Sequence, residues 1–131
     1  MNKTTQKSHT TIKRETHQID GTGKVLGRLS TEISRLLIGK HRVDYSPNLD
    51  MGDKVVVFNA AKVVVTGKKE EQKIYRSHSG YPGGYKEVKY AKLKEEQPGK
   101  IVKMAVKGML PKNRLQKTRM TRLTIFAGGE K

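Results

Sequence analysis

The sequence has no cysteine. Disulfides, thiolate zinc sites and a cysteine nucleophile are therefore excluded together, and the absence fits a reducing compartment. Negative charge is scarce. Asp and Glu number 12 against 28 Lys and Arg, for a formal net charge of +16 over 131 residues. No stretch approaches the roughly 18 to 20 apolar residues of a membrane-spanning helix. The first fourteen positions lack the apolar segment of a secretory signal. They are rich in Thr and Lys, with no acid before Glu15. Residues 1–15 are expected to form a flexible basic arm, and residues 16–131 a single domain with one modest core.

What is present in excess is positive charge. Self-repulsion on this scale destabilises a compact chain unless something anionic shares its surface. Nucleic acid fits best, because each phosphate neutralised releases counterions. Position matters more than the total. From Gln97 to Gly129 there are eight cations and no acid: Lys100, Lys103, Lys107, Lys112, Arg114, Lys117, Arg119 and Arg122. A basic helix face balanced by Glu would be a solvated surface held by ion pairs. Here no acid lies nearby in sequence, so an external anion is expected. Arg grips phosphate with a planar fork and Lys as a point charge. Asn113 and Gln116 add groups that can reach a 2′-hydroxyl or a base edge.

Apolar spacing gives the elements. Leu26, Leu29, Ile33, Leu36 and Leu37 recur at helical steps, predicting a helix from Val25 to Ile38 that Gly39 stops. Val55-Val56-Val57-Phe58 reads as a buried strand. Val63-Val64-Val65 reads as another, and His17-Gln18-Ile19 as the end of a short one. Lys73 to Ser77 is extended, and Gly80-Tyr81-Pro82-Gly83-Gly84 is irregular. Glu87 to Glu96 reads as a solvated helix. Pro98 starts a new helix whose face is Ile101, Val102, Ala105, Val106 and Leu110. Leu115 to Arg122 adds a basic turn or two, and Leu123 to Ala127 a closing strand. Strands alternating with helices predict an α/β domain with a mainly parallel sheet.

Other motifs are weaker. Gly21-Thr22-Gly23-Lys24-Val25-Leu26-Gly27 opens a helix, but its spacing is not that of a dinucleotide fingerprint. It could still offer helix-terminal amides, with Lys24 and Arg28, to a backbone phosphate. A Gly-rich turn that merely packs the helix is the plainer reading. Thr66-Gly67-Lys68-Lys69 lacks the earlier glycine of a phosphate loop and reads as a basic turn. His41 lies in a basic turn with Lys40 and Arg42. The stretch from Arg76 through His78, Gly80 and Tyr81 could stack on bases or be an ordinary exposed loop. No His has a partner at metal-ligand spacing. Glu70-Glu71 and Glu95-Glu96 lack the apolar surroundings of acid–base catalysts. Asp50 and Asp53 read as a turn held by Asx hydrogen bonds.

These residues resemble one family over most of the chain. The segments are Asp20 to Leu29, Gly39-Lys40-His41, Tyr45-Ser46-Pro47, Asp50-Met51-Gly52-Asp53, Asn59-Ala60-Ala61-Lys62, Thr66 to Lys69, and His78 to Gly84. The most specific are Ala105 to Leu115 and Leu123 to Gly128. In this order they are similar to the bacterial-type large-subunit ribosomal protein thirteen family. The resemblance implies a three-layer α/β/α fold around a mostly parallel sheet of about four strands. It implies binding to large-subunit ribosomal RNA, with neighbouring ribosomal proteins as partners, in a bacterial cytoplasmic ribosome. It implies no enzymatic activity and no cofactor. From the residues, no metal site, membrane or small-molecule substrate is expected. Two positions depart from the family: Gln116 replaces a usual Gly, and Asn48 a common His.

The expected RNA ligands are Lys107, Lys112, Asn113, Arg114, Lys117, Arg119 and Arg122. Further strands are assigned to Lys24, Arg28, Lys40, His41, Arg42, Lys68, Lys69 and Arg76, with His78, Gly80 and Tyr81 as a close-contact loop. Two rival functions are a nucleotide-binding enzyme built on the Gly21 to Gly27 turn and a protein-interaction role outside the ribosome.

Overall fold

The computed structural model describes residues 12–129. Its element order is β1 (Thr16–Asp20), α1 (Leu26–Ile38), β2 (Lys54–Phe58), α2 (Lys69–Gln72), β3 (Ile74–His78), β4 (Tyr85–Lys89), α3 (Tyr90–Glu96), α4 (Pro98–Met109), α5 (Leu115–Thr121) and β5 (Leu123–Ile125). The chain is α/β. β1, β2 and β5 form a parallel sheet in the order β1-β2-β5, with Ile19 opposite Val57 and Val57 opposite Ile125. Parallel neighbours need long crossovers. α1 lies within the first, and everything from α2 to α5 within the second.

α1 is amphipathic at helical period. Leu26, Leu29, Ile33 and Leu37 are buried on one stripe, as are Ser30 and Ser34. The Ser34 hydroxyl donates to the Ser30 carbonyl at 2.7 Å, so a small polar group sits in the stripe without an unpaired proton. α4 packs against α1 and buries Ile101, Val102 and Val106 into the same core as Val55 and Val57 of β2. Deep in that core, Ile33, Leu37, Val55, Val57, Val102 and Val106 are fully buried.

Three expectations change. The sheet has three strands among the described residues rather than about four. Val63-Val64-Val65 is not a strand, because a 3-10 turn over Ala60–Lys62 diverts it. Only Val64 joins a neighbour, bridging to Val25. Glu87 to Glu96 is not one solvated helix. Its first residues form β4, which pairs antiparallel with β3 in a separate hairpin, and α3 buries Tyr90 and Leu93. The cross-strand pair Tyr75 and Val88 packs the hairpin's inner face on the core. Of the expected basic arm, residues 1–11 lie outside the described residues. Arg14, at its far end, donates to the Asp50 carbonyl at 3.1 Å and is tied down.

The turn before β2 is pressed against the end of α1. Gly39 takes φ +88° and closes the helix with its amide on the Arg35 carbonyl at 3.1 Å. Gly52 has no room for a side chain, because an added Cβ would lie 1.7 Å from the Leu37 carbonyl oxygen. Gly52→Ala must therefore separate the turn from the helix. Overpacking of this kind costs about 1–3 kcal/mol, and here backbone rather than a flexible side chain must move. We expect a loss at or above that range in chemical denaturation, with the fold retained.

Candidate nucleic-acid interface

Two groups stand out among the described cations. One is turned inward on two carboxylates. Asp50 and Asp53 flank Met51-Gly52 at the entrance of β2 and are 1% and 0% exposed. Arg122 grips Asp50 with both terminal guanidinium nitrogens, at 2.5 and 2.6 Å. Arg119 lies 3.8 Å and Arg14 3.6 Å from the same carboxylate. Asp53 accepts from Arg42, from the Glu15 amide at 3.2 Å, and from the Nε2 atoms of His17 and His41 at 3.0 and 2.7 Å. A carboxylate can only accept, so each of those ring nitrogens carries its hydrogen.

Burial alone would raise the Asp53 pKa, but the hydrogen bonds from His17, Arg42 and the Glu15 amide outweigh it and hold the value at about 2. At Asp50 burial likewise raises the pKa, and the Arg122 fork with the charges of Arg14 and Arg119 brings it below the usual value.

This arrangement corrects two sequence expectations. Asp50 and Asp53 do more than hold a local turn. Arg119 and Arg122, expected to grip phosphate for want of a nearby acid, have one. It comes from the turn before β2, which is remote in sequence. Arg119 is 1% exposed and cannot reach a backbone phosphate from there. Arg42 is also inward, with one amine on Asp53 and on the Lys13 carbonyl at 2.6 Å.

His17, His41 and Asp53 place their ligand atoms within 4.8 Å of one another, a grouping that sequence spacing gave no sign of. Two imidazoles and a carboxylate can hold a transition metal. Here both ring nitrogens are engaged with the carboxylate, whose other oxygen takes Arg42 and the Glu15 amide. The cluster is closed by hydrogen bonds among its own members.

The second population faces outward. Lys103 and Lys107 on α4, Lys112 and Arg114 on the following turn, and Lys117 on α5 are exposed, and none has an acidic partner among the described residues. Two adjoining grooves of about 600 and 720 Å³ run between these elements and share Lys107, Asn113 and Gln116. No acid lines either one. Gln116 fastens the turn by donating to the Lys107 carbonyl at 2.9 Å, at the open C-terminal end of α4. Gln116 thus supplies a cap there.

The remaining expected residues are dispersed. Lys24 pairs with Glu32 at 3.2 Å on an exposed surface. Arg28, Lys40, Lys68 and Lys69 are exposed. Arg76 pairs with Glu87 at 3.0 Å across the β3–β4 hairpin. At the hairpin's tip, His78 Nδ1 accepts from the Gly80 amide at 2.9 Å, and Tyr81 is 75% exposed. The Gly21 to Gly27 turn is no phosphate cradle. Its Gly21, Gly23, Lys24 and Leu26 amides already donate to the carbonyls of Phe58, Lys62, Gly21 and Val64. Asp20, tied to Asn59 and Thr22, closes the turn from the other side, and those bonds lower its pKa to about 2.

The family described as Ribosomal protein L13 matches residues 14–131. Among similar proteins is the large ribosomal subunit protein uL13 of Chloroflexus aggregans, 50% identical over 126 residues, which are 96% of this chain and 88% of that protein. The protein of the same name from Legionella pneumophila is 50% identical over 119 residues, 91% of this chain and 83% of the relative. That of Rubrobacter xylanophilus is 51% identical over the same shares.

The buried carboxylates set an acid limit. The folded-state pKa of Asp53 lies below the ordinary 3.8, so its contribution is fully present above about pH 4 and is lost as pH falls toward about 2. Asp50 shifts in the same direction. We expect denaturant stability to drop through that window. Asp53→Asn should lower stability at neutral pH and flatten the drop.

Proposed function

Because the chain belongs to the ribosomal protein L13 family, we propose that it is a structural constituent of the large ribosomal subunit, bound to large-subunit ribosomal RNA. It is a structural protein and not an enzyme. It would help fold and assemble the subunit for translation, beside neighbouring ribosomal proteins, in the cytoplasm of a bacterial cell.

The observation that supports RNA binding is the cation group without acids on α4, α5 and the turn between them. Desolvated or crowded positive charge is costly alone, and a phosphate backbone is the partner that relieves it. Lys107, Lys112, Arg114 and Lys117 act as phosphate ligands, with Asn113 beside them. Lys24, Arg28, Lys40, Lys68, Lys69, Arg76 and the His78–Tyr81 loop serve as outlying contacts to other RNA segments. Arg42, Arg119, Arg122 and His41 act through the fold: they hold the turn before β2 and the end of α5, and so fix where α5 presents Lys117. Contacts of this kind read shape and backbone rather than base sequence.

Each lost phosphate contact lowers the salt slope of binding by about 0.7 to 0.9. Arg114→Ala with Lys117→Ala should therefore lower the slope for large-subunit RNA by about 1.4 to 1.8 and weaken binding at low salt, with melting unchanged. Filter binding over a salt series gives both quantities. An unchanged slope would remove α5 and its turn from the interface.

A further inference from the structure

The two grooves beside α4 have a composition that backbone contact alone does not require. Lys103, Lys107, Lys112, Arg114 and Lys117 line them, and methionine lines them too. Met104, 39% exposed, lines the first groove, and half-buried Met120 the second. Exposed Met104 and the accessible part of Met120 thus put apolar surface beside unpaired lysines. At the junction, the exposed Asn113 side chain has no partner among the described residues, so its amide is free to donate and accept. Gly108, where an added Cβ would meet nothing within 4 Å, leaves the α4 side of the first groove open.

We propose that this furrow takes an unpaired RNA strand, with bases laid on Met104 and Met120 and phosphates held by the cations. The proposal rests on the RNA-binding reading above and specifies the form of RNA. In a duplex the base faces are stacked inside, and the A-form minor groove is wide and shallow, so only phosphates and 2′-hydroxyls would reach a concave site. The methionines would then go unused. A splayed strand brings its base faces to the methionines, where a polarizable thioether packs well against a ring. It also brings its base edges to the Asn113 amide. The cations and methionines together favour a nucleotide chain over an acidic peptide, which has charge but no flat ring to lay on methionine.

The test uses the full chain and one mixed-sequence RNA strand without self-complementarity, offered alone and annealed to its complement. Charge density alone favours the duplex. The proposal predicts the reverse, with the single strand bound more tightly at equal salt by fluorescence anisotropy. Met104→Ser, a surface change, should weaken single-strand binding about five-fold, within the range of thioether–ring contacts, at unchanged salt slope. Met104→Leu should restore it, and Lys103→Ala with Lys107→Ala should lower the slope. Duplex binding as tight as single-strand binding would overturn the proposal, as would an inert Met104→Ser. Equal displacement of the strand by a polyglutamate peptide would also overturn it, marking a general anion surface. In those cases the RNA reading survives. If neither RNA form binds at low salt, that reading fails as well.

Discussion

Two carboxylates at the entrance of β2 hold this structure together. A +16 chain cannot fold its arginines inward unless each finds an anion, because an unpaired buried charge costs several kcal/mol. Asp50 and Asp53 supply the anions. Through them the segment before β1 (Arg14, Glu15), β1 itself (His17), the loop after α1 (His41, Arg42) and the end of α5 (Arg119, Arg122) meet at one turn. Gly52, between the two acids, lets that turn lie against the Leu37 carbonyl. The geometry therefore has little slack. Moving either acid would strand cations drawn from distant parts of the sequence.

The same pairing decides what remains outside. With Arg119 and Arg122 fixed to Asp50, α5 is held beside α1 and β5, and its outer side shows Lys117. α4 is anchored by Ile101, Val102 and Val106, so Lys103 and Lys107 point away from the core. Gln116 ties the intervening turn to the end of α4. The exposed cations thus stand on elements whose other faces are packed or ion-paired. They are held in place before any RNA arrives, which reduces the ordering cost of binding.

How much of this was legible in the sequence follows from the range of each interaction. α1 was legible because Leu26, Leu29, Ile33 and Leu37 repeat at helical period, and Gly39 marks its end. β2 was legible as an unbroken Val run, and α4 from Pro98 and its apolar face. Val63-Val64-Val65 misled, because β-branched residues also suit an extended loop, and the turn at Ala60–Lys62 is set by contacts with the segment after β5. The hairpin was half legible: its Gly-rich tip was read, but not the pairing of Tyr75 with Val88. The inward arginines were not legible at all. Arg122 lies 72 residues from Asp50, and His17 lies 36 from Asp53. Local charge patterning cannot see such pairs. The nearest clue was two acids set against the apolar run of β2, where an ionised group must be either exposed or matched. Family membership was legible because it rests on ordered motifs and not on contacts.

The most direct test of the account is crosslinking by ultraviolet light, read by mass spectrometry, on large ribosomal subunits isolated from cells carrying this chain. The chain should be present in those subunits. RNA adducts should concentrate between Lys103 and Lys117, with none at Arg119 or Arg122. Absence of the chain from the subunit would contradict the ribosomal assignment. Adducts at Arg119 or Arg122, or α4 and α5 left bare, would contradict the division between inward and outward cations.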